Sequence, residues 1–535
     1  MTATDAPTDP KTERAATASR GTSAPDDRRW WTLGAVCLGT FMLLLDVTIV
    51  NVALPAIQTS LRSTFSDLQW VIDAYALTLA ALLLTAGSLA DLFGRRRLFI
   101  IGLAIFTAAS VLCGVAANTL MLQLSRGLQG VGGAIMFAVS LALLANAFRG
   151  KDRGTAFGIW GAVTGVAVAL GPVLGGALTT GLSWRWIFLV NLPVGIVAIV
   201  LTVLRVSESK DDRAGRPDLV GFVVLSGALA SLVYALIEAG RRSFTDGLVL
   251  ACFALAVVLL ATFVAVESRS SHPMLELALF RKPTFSGGAI AAFGVSAGIF
   301  AMLLYLTLYL QDVLRYSALQ TGLRLLVLSA AILVVSTVAG RVSSHVPVRL
   351  LVGPGLLLVG VGLLLMRGLD AGSSWTHLVP GLIVAGVGVG LINPPLASTA
   401  VGVVPPRQAG MASGVNSTFR QVGIATGIAL LGTLFASRLQ SSLVHALAGT
   451  PLAPRAGELA TAVQGGGLER VLGSVPAASR GQLLHAGTAA FTSGLDHILL
   501  VAAIGTLAAG LGALALIRSK DFHAYGAAQP AGHAG

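Results

Sequence analysis

The sequence predicts an all-α polytopic membrane protein, and three observations lead to this fold class. Of its 535 residues, 55% are hydrophobic and only 11% are charged, and the mean hydropathy is +0.82. Too few polar residues remain to cover a water-soluble body of this length. Fourteen apolar runs also follow one another, and each is about long enough to cross a bilayer as a helix. The chain is therefore expected to cross a membrane fourteen times.

The predicted spans are separated mostly by short polar loops. They lie at 31–53, 68–90, 98–117, 121–146, 155–178, 186–204, 219–239, 247–266, 285–310, 320–340, 350–366, 377–400, 411–437 and 492–517. The stretch 438–490 is too long for a simple turn. We expect it to be an outer loop that carries short amphipathic helices on the membrane surface or has no fixed structure.

Lys and Arg are distributed unevenly between the two sides of the predicted membrane. With the amino-terminal tail placed inside, 23 of the 36 fall on that side and 10 on the other, and three lie within spans. Because basic residues favour cytoplasmic loops, both termini are predicted to be cytoplasmic, in a protein of the plasma membrane. The net charge of +12 is then explained by loops facing anionic lipid, and nucleic acid is not an expected partner.

The loop between spans 2 and 3 combines an acid with glycines and arginines. Residues 87–97 read GSLADLFGRRR. A cluster of arginines can act as a topological anchor, but an anchor does not explain Asp91. A carboxylate at a helix end can accept hydrogen bonds from the free N–H groups at the start of another helix, and a glycine permits close approach. We expect a latch that closes the cytoplasmic side, formed by Gly87, Asp91, Gly94, Arg95 and Arg96.

Three charged residues of the first spans fall at one depth, in the outer third of the predicted membrane. Asp46 is too deep to reach water easily, so we expect it to face a cavity. Asp73 and Arg126 are closer to span ends, where they could instead be interfacial side chains that extend to water. The protonation state of a buried carboxylate depends on its burial and on nearby charges. We assign proton coupling to Asp46, Arg126 and Asp73, and expect Gln129 to help Arg126 tune the acid.

Span 5 is rich in glycine and contains a proline. Close packing between membrane helices explains glycine in general, but a proline after a glycine also adds a kink. We expect a conformational hinge formed by Gly165, Gly171, Pro172, Gly175 and Gly176.

Polar residues within spans are candidates for a substrate cavity. Asn393 precedes two prolines that we expect to interrupt span 12, and discontinuous helices tend to line binding cavities. Arg420 lies near mid-membrane and needs a partner or water, which the sequence does not identify. The cavity candidates are Asn51, Gln129, Asn393, Asn416 and Arg420.

A faint repeat predicts how the spans are grouped. Residues 339–349 read AGRVSSHVPVR and repeat the arginine loop eight spans later. A duplicated six-span bundle with two spans inserted between the copies accounts for this distance. The predicted organisation is a disordered cytoplasmic tail at 1–29, a six-helix bundle at 30–206, two extra helices with linkers at 207–284, a second six-helix bundle at 285–517 and a cytoplasmic tail at 518–535.

Five motifs in order resemble the major facilitator superfamily, and within it the fourteen-span drug/proton antiporters of the EmrB/QacA type. They are 45–55 (LDVTIVNVALP), 87–97 (GSLADLFGRRR), 126–130 (RGLQG), 165–176 (GVAVALGPVLGG) and 184–193 (WRWIFLVNLP). The resemblance covers about residues 30–520. It implies that Asp91 meets the start of span 13, near 410–413.

The resemblance further implies proton-coupled efflux of small, amphipathic drug-like or antibiotic-like molecules by alternating access, with a monomer as the functional unit. An importer or uniporter on the same fold, or a membrane receptor that binds a small molecule without moving it, remain alternatives. We expect a transporter with no enzymatic activity and no catalytic residues, and the sequence contains no phosphate-binding loop for nucleotide hydrolysis. No cofactor and no metal site are expected, and the proton gradient is the expected energy source.

Overall fold

The structure is a computed structural model that describes residues 28–522, except 64, 149, 211–217, 271–272, 344, 371, 406–407 and 465–474. Every regular element within these ranges is a helix, which confirms the predicted fold class. Most of the predicted disordered tail at 1–29, and of the tail at 518–535, lies outside the described residues.

Fourteen long apolar helices coincide with the predicted spans, and we number them α1 to α14. They are α1 (Arg28–Leu61), α2 (Phe65–Phe93), α3 (Arg95–Gly114), α4 (Thr119–Ala147), α5 (Gly150–Gly181), α6 (Trp186–Arg205), α7 (Leu219–Arg241), α8 (Gly247–Glu267), α9 (Pro283–Val313), α10 (Ala318–Val342), α11 (Arg349–Leu365), α12 (Val379–Gly402), α13 (Ala409–Leu447) and α14 (Ala477–Leu516). Twelve have the length and hydropathy of a membrane span, α5 qualifies as a bent helix, and α11 has 17 residues. A helix of that length is about 25 Å long, which is close to the thickness of the hydrocarbon core.

The helices pack as two bundles with an added pair. Helices α1 to α6 contact one another around one apolar core, and α9 to α14 around another. The bundles meet where α5 packs on α10 and α12, and where α2 and α4 pack on α13. Helices α7 and α8 pair with each other, and α7 lies against both α2 and α13. We call the face that carries the α2–α3 turn and the start of α1 the predicted cytoplasmic face.

Helices α13 and α14 extend far beyond the predicted spans 411–437 and 492–517. With 39 residues, α13 is about 58 Å long, almost twice the thickness of the hydrocarbon core. Leu439, Leu443 and Leu447 are fully buried and belong to the same apolar core as Leu483 near the start of α14. The predicted bounds 438–490 of the outer loop were therefore too wide, because an apolar stripe holds the two helices together outside the span. The described part of the connection carries one short helix, Ala456–Gln464, as the prediction of short helices allowed.

Helix α12 is continuous through its two prolines, so the predicted interruption of span 12 was wrong. Pro394 has no N–H to donate to the carbonyl of Gly390, four residues earlier. The Ser336 hydroxyl of α10 donates to that carbonyl at 3.3 Å instead. A side chain from a neighbouring helix thus satisfies the freed backbone group, as is common in membrane helices.

Candidate functional site

A buried ion pair joins α1 to α4 inside the first bundle. The Arg126 Nη1 donates to Asp46 Oδ2 at 2.5 Å, and the two side chains are 1% and 0% exposed. Gln129 Nε2 donates to Asp46 Oδ1 at 2.9 Å, and Asn191 Nδ2, from α6, donates to the same oxygen at 3.3 Å. The structure therefore brings Asp46, Arg126 and Gln129 together and adds Asn191, an uncharged residue that the sequence analysis did not select.

Helix α2 holds the other side of Arg126. The Arg126 Nε donates to the carbonyl of Val71 at 3.1 Å, and the Arg126 guanidinium lies 4.3 Å from the ring centre of Tyr75. Its Nη1 is also 2.7 Å from Gln129 Oε1. A buried ion pair is tolerated when the remaining donors and acceptors are satisfied in this way.

Asp46 does not face a cavity, contrary to the prediction. Its carboxylate is enclosed within the first bundle, where Asn191 also donates to the Ser110 hydroxyl of α3 at 3.0 Å. The side chains that donate to Asp46 lie on α4 and α6, so Asp46 faces the interior of the first bundle. The adjacent Val47, about 100° further around α1, is 39% exposed. Gln129 was likewise predicted to line a cavity, but it is fully buried against Asp46.

Asp73 belongs to a different ion-pair cluster. It bonds to Arg241 of α7, which also donates to Glu238 at 3.2 Å, and Arg242 bonds Glu238 at 2.8 Å. Asp73 and Tyr75 lie about 200° apart around α2, so they face different neighbours. Asp73 therefore does not join Asp46 and Arg126 in one cluster, because residues at equal depth can lie on different sides of a helix.

The two bundles are joined at the predicted cytoplasmic face through Asp91. Its Oδ1 accepts from the N–H of Gly410 at 2.9 Å and its Oδ2 from that of Met411 at 2.8 Å. These N–H groups belong to the first turn of α13, which has no partners for them within the helix. Arg95 donates to Oδ1 through Nε at 2.9 Å and Nη2 at 2.7 Å. The predicted contact of Asp91 with 410–413 is thus present.

Glycines bring the backbones of the two bundles into contact at the same face. A Cβ added to Gly87 would collide with the Gly410 carbonyl oxygen of α13. In the repeated loop, Gly340 of α10 makes the corresponding contact with Gly154 of α5. Both halves of the molecule therefore place a glycine of the repeated motif against the opposite bundle.

The rest of the arginine motif stabilises the turn between α2 and α3. Gly94 has φ 108°, a conformation that favours glycine. Arg96 donates to carbonyls at the end of α6, that of Thr202 at 3.3 Å and that of Val203 at 2.6 Å. Its N–H donates to Glu208 at 3.0 Å. Gly94 thus shapes the turn, and the bonds of Arg96 stay within the first bundle and its following segment. Neither residue joins the two bundles through these contacts.

The segment 273–282 between α8 and α9 is hydrogen-bonded to α2 and to the end of α12. The Ser88 hydroxyl of α2 donates to the Met274 carbonyl at 3.2 Å, and Lys282 Nζ donates to the Val403 carbonyl, at the end of α12, at 3.2 Å. Leu279 is buried in an apolar cluster that includes residues of α2 and α13. This segment, which the sequence analysis did not select, therefore contacts both bundles.

Helix α5 is bent by 43° between Asp152–Val168 and Val173–Gly181, which confirms a kink at the predicted hinge. Within the bend, a Cβ on Gly171 would collide with Thr48 of α1, and beyond the bend one on Gly175 would lie 2.9 Å from the Ile49 carbonyl oxygen. Gly165 faces Ile332 of α10, and Gly176 has no neighbour within 4 Å of an added Cβ. The side chain of Pro172 lies outside the described residues.

The remaining polar candidates are in the second bundle, except Asn51 on α1, whose side chain lies outside the described residues. Arg420 Nη2 donates to Asn393 Oδ1 at 2.9 Å, which supplies the partner that the sequence did not identify. Asn416, one turn before Arg420 on α13, is buried.

The sequence model of the family described as Major Facilitator Superfamily matches residues 36–428 of this chain. The chain belongs to the Major Facilitator Superfamily. It is similar to the multidrug resistance protein Stp of Mycobacterium tuberculosis, with 40% identity over 413 residues, which are 77% of either chain. It is also 34% identical over 497 residues to the tetracenomycin C resistance and export protein of Streptomyces glaucescens, covering 92% of this chain and 90% of the relative.

The fold agrees with this membership. The crystal structure of the human organic anion transporter MFSD10 superposes with a TM-score of 0.59 at 16% identity, over 90% of this chain and all of the other. The resemblance to the superfamily that the five motifs indicated is confirmed, and the relatives place this chain in the drug-efflux branch. The protein is a multi-pass membrane transporter and not an enzyme.

Proposed function

We propose that this transporter exports small drug-like or antibiotic-like molecules in exchange for protons. Support for efflux comes from the relatives, which are described as a multidrug resistance protein and as a resistance and export protein for tetracenomycin C. In this proposal the protein works as a monomer in the plasma membrane, with both termini in the cytoplasm, as the distribution of Lys and Arg predicts.

The observation that carries proton coupling is the buried pair of Asp46 and Arg126. Protonation of Asp46 would remove the charge that balances Arg126 in a site from which water is excluded. Removing one charge from such a pair costs about 3–5 kcal/mol. This free energy is sufficient to change which of two conformations is favoured.

The site is connected to both elements that would have to move. Helix α2 contacts Arg126 through Val71 and, at its other end, bonds α13 through Asp91. Helix α1 packs on the bent helix α5 through Thr48 and Ile49, directly after Asp46. A change of charge at Asp46 can therefore alter the latch and the hinge together. Inward movement of the proton would restore the conformation that accepts the next substrate molecule.

A pH gradient across proteoliposomes tests the proposal, with tetracenomycin C as the probe. The membrane potential is held at zero with potassium and valinomycin, and protein-free liposomes correct for passive movement. An antiporter accumulates the probe on the acidic side, and nigericin abolishes this accumulation.

The other functions on this fold give different results in the same experiment. A proton-coupled importer accumulates the probe on the alkaline side, and a uniporter equilibrates it whatever the gradient. A receptor binds it without moving it. Any of these three results would contradict the proposed exchange.

A further inference from the structure

Arg420 carries a positive charge that the described part of the chain does not neutralise. Its Nη2 donates to the uncharged Asn393, and its Nε is buried without a partner among the described residues. It lies eleven residues after Ala409, the start of α13, or about 16 Å along a helix that crosses about 30 Å of hydrocarbon. A guanidinium at this depth is costly unless it has a counter-charge or faces water.

The acids of the second bundle lie too far from Arg420 along the membrane normal to neutralise its charge. Among the described acids, Asp312 ends α9, Asp370 is in the loop before α12, and Asp521 follows α14. Glu458 lies on the helix Ala456–Gln464 outside the span and pairs with Arg455. Asp496 bonds Arg367 and the N–H of Gly368. In the first bundle, Asp46 is already neutralised by Arg126. Within the described residues, the middle of the membrane therefore holds one positive charge in excess.

Arg420 points toward the space between the bundles. Gly410 and Gly414 of α13 face α2, and Gly423 and Gly427 face α9. At about 100° per residue, Arg420 lies on the sector between these two faces.

Two neighbours confirm the direction of Arg420. Ala429, about 180° from Arg420 around α13, is the residue that lies beside Gly240 of α7, so α7 covers the opposite side. Asn393, to which Arg420 donates, lies on α12 beside Gly161 of α5, where the two bundles meet. The guanidinium therefore lies on the side of α13 that faces the space between the bundles. It points away from α7 and from the lipid.

We propose that Arg420 and Asn393 bind the anionic group of the substrate, and that the transported molecules are weak organic acids with a carboxylate or phenolate on an apolar body. This inference rests on the proposed export function. The guanidinium offers Nε and further N–H groups to an oxyanion, and Asn393 offers its amide N–H. A cationic molecule would be repelled by the charge of Arg420. It also could not bind the Asp46 carboxylate, which is buried and paired with Arg126.

Binding of a matched pair of dyes tests the inference. 1-Pyrenebutyric acid carries a carboxylate on an uncharged, fluorescent apolar body, and its methyl ester differs only in lacking the negative charge. Fluorescence anisotropy with the purified full-length protein gives the affinity for each dye. We expect the acid to bind more tightly than the ester. Arg420→Gln should weaken binding of the acid about tenfold or more and leave the ester unchanged, since a hydrogen bond to a charged group is lost.

Two further variants keep the result interpretable. Arg420→Lys keeps the charge and should retain part of the preference for the acid. Arg438→Gln removes the same charge from an exposed position of the same helix and should change neither affinity. Equal affinity for the two dyes, no binding of the acid, or a preference that survives Arg420→Gln would overturn the inference. Binding as expected without transport of tetracenomycin C along a pH gradient would instead contradict the proposed export.

Discussion

The Asp91 carboxylate of α2 accepts a hydrogen bond from the Gly410 N–H at 2.9 Å, across the boundary between the two bundles. With the second bond from Met411, one side chain satisfies two free N–H groups at the start of α13. The positive end of the α13 dipole also favours a negative charge at this point. The contact exists only while the bundles are together at the predicted cytoplasmic face.

Asp91→Asn should therefore favour opening of that face. The amide carries no charge and offers one acceptor oxygen, so we expect closure to weaken by about 1–2 kcal/mol. Ser413→Cys is a suitable reporter because Ser413 is fully buried on α13, one turn from Gly410. In inverted vesicles, and with Cys37, Cys113 and Cys252 replaced, Asp91→Asn should increase labelling of this cysteine by an impermeant maleimide. Unchanged labelling together with unchanged transport would reduce the motif to a topological anchor.

Gly87→Ala tests the close approach without changing any charge. The added methyl group would collide with the Gly410 carbonyl oxygen, so the bundles could close only after shifting apart. We expect transport to fall about tenfold, which corresponds to a loss of roughly 1.4 kcal/mol. Gly505→Ala in α14 is the control, because nothing lies within 4 Å of its added Cβ. Equal transport by the two variants would show that the contact is not required in the cycle.

The cluster of Asp73 and Arg241 should contribute to stability and not to proton coupling. Asp73→Asn breaks the bond to α7 and leaves Arg241 with Glu238 alone, so we expect the melting temperature to fall with no change in the pH dependence of transport. The exchange of Asp73→Arg with Arg241→Asp should recover part of the loss. A shifted pH profile for Asp73→Asn would instead make Asp73 a proton carrier.

Much of this arrangement could be predicted because hydropathy and short motifs indicate how deep each residue lies in the membrane. The span positions, and the meeting of Asp46 with Arg126, followed from where each residue lies along its helix. Direction around the helix was harder to predict, since Asp46 and Val47 differ by only one position and a single residue decides which faces inward. The extensions of α13 and α14 were missed because Leu439 and Leu443 form a stripe on one side, not a continuous apolar run.

The predicted orientation can be checked with single cysteines in the background that lacks the native three. Ser441 is exposed on the extension of α13, and Ser207 is exposed just after α6. Ser441→Cys should react with an impermeant thiol reagent in intact cells, and Ser207→Cys should react only in inverted vesicles. The reverse pattern would contradict the orientation inferred from Lys and Arg.

The most direct test of proton coupling is the transport of tetracenomycin C by Asp46→Asn along a pH gradient. The asparagine keeps the size of the side chain but cannot take up and release a proton. We predict that this variant inserts normally, binds the probe and no longer accumulates it on the acidic side, while Asp46→Glu keeps part of the activity. Accumulation by Asp46→Asn at the rate of the parent protein, with the same pH dependence, would show that the proton is carried elsewhere.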